Sequence, residues 1–133
     1  MDVILVDTSV WVNFFRAQET ASTLFLKNNR DSVTIATCPV VVQEILQGII
    51  NDKEYKSIGL YFDSLLKLQG SHYLLAKDAA NLYRQIRKRG YTIRKPNDCL
   101  IACYAIRNDV KVLHDDKDFS FIAACSELKI QSV

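Results

Sequence analysis

Residues that interrupt regular structure are scarce: four glycines and two prolines in 133 residues. Long ordered loops are therefore not expected. No apolar run approaches the ~20 residues that cross a bilayer, so no membrane segment is expected. The opening "MDVILVDTSV" carries an acid in place of a basic leader region, and no small-residue cleavage site follows. It does not read as a signal peptide, and a cytoplasmic chain is expected. Phosphate-binding glycine loops are missing too, both the Walker pattern and GxGxxG, which argues against a bound nucleotide.

Cysteine is present without a cysteine motif. Cys38, Cys99, Cys103 and Cys125 include no CxxC pair, and His72 and His114 lie far from them in sequence. Only Cys99 and Cys103 are close, at a helical i,i+4 spacing inside an apolar pattern. They read as reduced core residues, neither a zinc site nor a disulfide framework. Neither sign of charge dominates: the net charge is +2 and the pI about 8.3. That is too mild to identify a nucleic-acid partner, so the distribution of charge matters more than its sum. With 49% hydrophobic and 24% charged residues, the chain has ordinary globular composition. Its length suits one domain, residues 1–133, with a core that needs no staples.

The order of elements reads as alternating strand and helix. Val3–Val6 is a branched apolar run without alternation, the pattern of a strand buried on both faces. Ser9 can cap a helix through Val10–Phe15. A helix over Glu19–Asn29, a strand over Ser32–Ala36 and a helix opening at Pro39 follow. Glu54–Leu68 reads as one helix with Ile58, Tyr61, Phe62, Leu65 and Leu66 on a broad face. Residues 74–89 read as another, stopped by Gly90. Asn97–Asn108 is a helix, Val110–His114 a third strand, "FSFIAAC" a short helix, and "LKIQSV" a last edge strand. The fold class expected is α/β, a three-layer sandwich with a mainly parallel central sheet.

Ligands of open α/β sheets bind beyond the carboxyl ends of the strands. Asp7 ends the first strand, and Asp115, Asp116 and Asp118 follow the third. Glu44 lies in the helix after the second strand, and Asp98 opens the helix after Pro96. Each has a plain alternative: Asp7 and Asp98 as helix-end acids, Glu44 as a solvated residue, one aspartate of "HDDKDF" as a turn residue. Their convergence is the stronger signal. Crowded carboxylates raise one another's pKa unless a cation neutralises them. Oxygen ligands alone suit Mg²⁺ or Mn²⁺, and such a centre, with one ion or two ~4 Å apart, suits phosphodiester hydrolysis.

With these residues in view, nearly the whole chain resembles the PIN domain, and more narrowly a VapC-type toxin ribonuclease of bacterial toxin–antitoxin modules. The resemblance is carried by "ILVDTSVWVNFF", "VVVQEILQG", "KPNDCLIACYA" and "VLHDDKDF". It implies that Asp7, Glu44, Asp98 and Asp116 are the catalytic acids and hold Mg²⁺ or Mn²⁺, while water attacks the phosphodiester. Asp118 is implied to bind a second ion or to orient Asp116. Ser9 matches the family's supporting hydroxyl, and His114 stands where the family usually has threonine. The implied partners are RNA in single-stranded or looped form (possible targets including tRNA and rRNA), a small cognate antitoxin, and a second copy in a homodimer. Two alternatives stay open: a PIN nuclease of RNA processing, and a non-catalytic PIN scaffold that binds RNA or protein. A receiver-like phosphoacceptor fits poorly, since Lys111 starts its strand where that fold needs a lysine at the end.

Charge is concentrated in "RQIRKRGYTIRK", where Arg84, Arg87, Lys88, Arg89, Arg94 and Lys95 run without an acid to Pro96 and Asp98. A basic arm beside an acidic pocket is expected to bind RNA; the plain alternative is a solvated helix end, where basic residues are favoured. Tyr83 and Tyr91 are either base-stacking or core residues. Trp11, Phe14, Phe15, Tyr61 and Phe62 divide between core and interface.

Overall fold

The computed structural model describes all 133 residues. The apolar run at the start forms strand β1, Asp2–Val6, in which Ile4, Leu5 and Val6 are fully buried. Burial on both faces explains the missing alternation. β1 pairs with β2, Val33–Thr37, on one side and with β4, Lys111–Leu113, on the other, both parallel. The register sets Leu5 opposite Ala36 and Val112, and Val6 opposite Leu113. Two-residue strands close the edges, β3 (Leu66–Lys67) beside β2 and β5 (Lys129–Ile130) beside β4. The order is β3-β2-β1-β4-β5, with every pair parallel. Strand order reverses at β1, so the crevice of this sheet opens at its carboxyl end, where Asp7 stands.

Seven helices connect the strands: α1 (Thr8–Phe15), α2 (Ala21–Asn28), α3 (Pro39–Gln47), α4 (Asp52–Asp63), α5 (His72–Lys88), α6 (Asn97–Arg107) and α7 (Asp118–Ala124). The result is the expected α/β sandwich. α6 is the most deeply packed, with Cys99, Ile101, Ala102, Tyr104 and Ala105 all at or near zero exposure. No helix is long and apolar enough to cross a membrane.

The structure corrects the expected elements in four places. Asp7, not Ser9, caps α1: its backbone is extended and its carboxylate accepts the Ser9 N–H. α2 begins after Thr20, which forms a capping box with Thr23, so Glu19 lies outside. The single helix over Glu54–Leu68 is instead α4 and β3. α4 ends at Asp63, the Ser64 hydroxyl donates to the Tyr61 carbonyl, and Leu66–Lys67 pairs with Ala36–Thr37. Two residues cannot display a strand period, so pairing with the open edge of β2 decides the conformation there. Val110–His114 is consequently the fourth strand, trimmed to Lys111–Leu113. At the far end of α5, Gly90 takes φ +91° and turns the chain out of the helix, as its position suggested.

The aromatic residues form one cluster. Trp11 is fully buried, stacked on Phe15 and edge-on to Phe14, Tyr61 and Phe62. Phe62 is buried as well, and Phe15 is the member that reaches the surface. The cysteines are free, with Cys38, Cys99 and Cys103 buried, in accord with core packing.

Candidate metal centre

Asp7 leaves β1 and enters α1. Its backbone N–H still donates to the Leu113 carbonyl of β4 at 2.9 Å, which fixes its height at the sheet edge. Its carboxylate is buried and divided in function. Oδ2 accepts the Ser9 N–H at 3.0 Å and the Ser9 hydroxyl at 2.6 Å. Oδ1 is buried without a partner. Burial pushes the carboxyl above its ordinary range, the Ser9 donors pull it back, and the charge of Glu44 pushes it further up.

Asp98 sits in the first turn of α6 behind Pro96 and is 3% exposed. Its Oδ2 is the second buried carboxylate oxygen without a donor. Burial, followed by the charges of Asp7 and Asp116, lifts its pKa to about 8, with Lys95 pulling the other way. The charge of Glu44 also raises the Asp98 carboxyl, as it does that of Asp7. Glu44 is half-buried on α3, and the Thr8 hydroxyl donates to its Oε1 at 2.7 Å. Thr8 thus orients one acid while its neighbour Asp7 supplies another.

The loop after β4 sorts its three aspartates. Asp115 is exposed and braces the rim. Its N–H donates to the Ser9 hydroxyl, and its carboxylate accepts from Asn13 and Thr20. Asp116 and Asp118 are buried beside Asp98, one oxygen of each of the three lying within 4.8 Å of the others. The Asp118 N–H donates to Asp116 Oδ1 at 3.0 Å, which ties the loop to the start of α7.

A single side chain of opposite charge makes direct contact with these acids. Arg94 Nη2 donates to Asp116 Oδ1 at 2.9 Å, Nε to Asp118 Oδ2 at 3.3 Å, and its backbone N–H also reaches Asp118 Oδ2 at 3.0 Å. An open cleft of about 500 Å³ lies above, lined by Thr8, Ser9, Asn13, Lys95 and Lys117 among others.

Of the acids singled out in the sequence, Asp98, Asp116 and Asp118 come together as one cluster, Asp7 and Glu44 act on Asp98 through their charge, and Ser9 donates its hydroxyl to Asp7. His114 does not join them. Its ring stacks on Phe119 at 5.3 Å and bonds none of the carboxylates, and only its carbonyl is engaged, by the Ser22 hydroxyl. The basic run divides. Arg84, Arg87, Lys88 and Arg89 are exposed at the end of α5, where Arg87 lies over the Tyr83 ring and Arg89 donates to the Ala124 carbonyl. Arg94 and Lys95 enter the cleft instead. Tyr91 is exposed and stacks on Phe121. Lys117, Asn13 and Thr20 escaped the sequence reading. Lys117 was visible between two aspartates, but Asn13 and Thr20 meet Asp115 across about a hundred residues and carry no local signal.

The donor set fits a hard cation. Two buried carboxylate oxygens, Asp7 Oδ1 and Asp98 Oδ2, have no hydrogen-bond partner, an arrangement that is costly unless a cation or proton satisfies them. No cysteine or imidazole nitrogen belongs to the cluster, so its ligands are all carboxylate oxygens, the donors that hard divalent cations prefer.

Comparison with known proteins identifies relatives of the chain and of its fold. The PIN domain model matches residues 4–124. The chain is 34% identical over 132 residues to VapC ribonuclease Mb1587 of Mycobacterium bovis and to ribonuclease VapC11 of Mycobacterium tuberculosis, covering 98% of each chain. Among solved structures, it is similar to VapBC2 from Rickettsia felis bound to a promoter DNA fragment (TM-score 0.72, 18% identity). It is also similar to VapBC-1 from nontypeable Haemophilus influenzae (TM-score 0.73, 16% identity). The chain covers 97–98% of itself and 97% of the matched chain in these alignments, and at such identity the likeness is one of fold.

Proposed function

The chain belongs to the PIN-domain family, among relatives that are VapC ribonucleases, and from that premise we propose that it is a metal-dependent endoribonuclease acting as the toxin of a toxin–antitoxin pair. The observation that carries the chemical part is the pair of partnerless carboxylate oxygens, Asp7 Oδ1 and Asp98 Oδ2, at the switch point of the sheet.

In this reading Asp7, Asp98 and Asp116 hold Mg²⁺ or Mn²⁺, with Glu44 facing them. A divalent ion there supplies charge to offset that building on the phosphodiester and makes a water more acidic. Glu44, set by Thr8, accepts the proton of the attacking water. Ser9 occupies Oδ2 of the Asp7 carboxylate and leaves Oδ1 free for the ion. Lys95 and Lys117 attract the RNA backbone across an otherwise repulsive edge, and the exposed cations of α5 extend that path. RNA in single-stranded or looped form is the substrate that the kinship with VapC ribonucleases suggests.

The partners follow from the same relatives. A small antitoxin is expected to lay its terminal segment over the cleft and bring a basic side chain to the acids. A second copy of the chain forms a homodimer. Expression of the chain in a growing cell tests the toxin reading. Growth arrest with new RNA ends, relieved by co-expression of the small neighbouring gene, is the expected result. Arrest without RNA cleavage contradicts it.

A further inference from the structure

We propose that Arg94 takes the place of a second metal ion: held by Asp116 and Asp118, it receives the scissile region of the RNA backbone, so the site takes one divalent ion per chain. The inference rests on the metal-nuclease reading and refines it.

The acids of the site fall into two sets. Asp7 Oδ1 and Asp98 Oδ2 have no partner, while Asp116 Oδ1 and Asp118 Oδ2 are engaged by Arg94. The engagement is directional. Nη2 goes to one acid and Nε to the other, a fork that a guanidinium can make and an ammonium cannot. It is also built into the chain. The backbone N–H of Arg94 donates to the same Asp118 oxygen as its Nε, and Asp118 in turn donates its N–H to Asp116. One turn further along α7, Phe121 is stacked by Tyr91, three residues before Arg94. The connector before α6 is thus fastened to α7 at two successive turns, which fixes where Arg94 emerges.

Both anchoring acids are almost completely buried, yet the Arg94 side chain keeps 61% of its surface open to the cleft. A cation buried to balance charge would be covered. This one is anchored from below and open above, so its remaining N–H groups are available to a phosphate. In two-ion nucleases, paired cations flank the reacting phosphate. Here a fixed guanidinium supplies one of the pair, and Asp118 serves as its anchor and not as a metal ligand.

The test counts ions and measures RNA binding separately. Mn²⁺ titration of the purified chain is expected to give one ion per chain, and Arg94→Gln is expected to admit a second, weaker ion between Asp116 and Asp118. In the Asp7→Asn background, which is not expected to cut, Arg94→Gln should weaken binding of a single-stranded RNA by about tenfold or more. Arg94→Lys should recover part of that loss. Circular dichroism confirms that each variant is folded. Two ions on the wild-type chain overturn this inference and leave the nuclease reading intact. No ion on the wild-type chain removes both. An unchanged ion count or unchanged RNA affinity in Arg94→Gln also overturns it.

Discussion

Asp7 and Ser9 share a two-pronged contact that uses only half of the carboxylate. Oδ2 takes both Ser9 donors, and Oδ1 is left buried and unpaired. The residue therefore caps α1 and still keeps one carboxylate oxygen free for a cation, which unites two readings that the sequence alone keeps apart. Asparagine retains an acceptor for the cap but loses the charge. Asp7→Asn should fold with wild-type cooperativity, while Asp7→Ala should lose about 1 kcal/mol through the missing cap. Urea denaturation of both variants in chelator measures the difference.

The acids also predict how metal-free stability varies with pH. The Asp98 pKa rises from 3.8 to about 8 in the fold. Above pH 4 the unfolded chain releases a proton that the folded chain retains, so stability falls as pH climbs toward 8 and then levels. Asp7, also raised, adds in the same direction. Asp98→Asn should remove most of this slope and make the metal-free chain more stable than wild type at pH 8. Thermal denaturation across pH 5–8 in chelator decides it. A wild-type chain that gains stability over that range contradicts the assignment.

Ion binding should be linked to the same proton. Near pH 7 the Asp98 carboxyl retains a proton that a divalent ion must displace. Mn²⁺ affinity should therefore rise between pH 6 and 8, with release of about one proton per ion. Calorimetry in two buffers of different ionisation enthalpy reads the proton count directly.

The thiols supply an independent check on the packing. Burial lifts Cys38 and Cys103 to about 11 and Cys99 to about 12, while Cys125 is half-buried. A thiol reagent at pH 8 should label Cys125 in the native chain and the other three only on unfolding. Rapid labelling of all four under native conditions would show a looser core than the structure has.

Several parts of this architecture were legible because they carry their own periodicity or chemistry. The unalternating run of β1, the proline opening α3 and the glycine ending α5 each act locally. β3 carried no such mark, since two residues become a strand only through the exposed edge of β2. The site divides along the same line. Asp7 and Asp98 stand at element ends, which chain order reveals. Arg94 looked like one more cation in a basic run, and its hold on Asp116 and Asp118 emerges only when the connector folds onto α7. His114 illustrates the converse. Its place where the family usually has threonine suggested a supporting role, but the ring packs on Phe119.

The central claim is that the buried acids cut RNA through a divalent ion. Its most direct test is cleavage of a labelled single-stranded RNA by the purified wild-type chain and by Asp7→Asn, each with Mg²⁺ or Mn²⁺ and with excess chelator. The account predicts cuts by the wild-type chain with metal alone, and a loss of at least about a hundredfold in Asp7→Asn. Equal cleavage by the two proteins, or cleavage that persists in chelator, would contradict it.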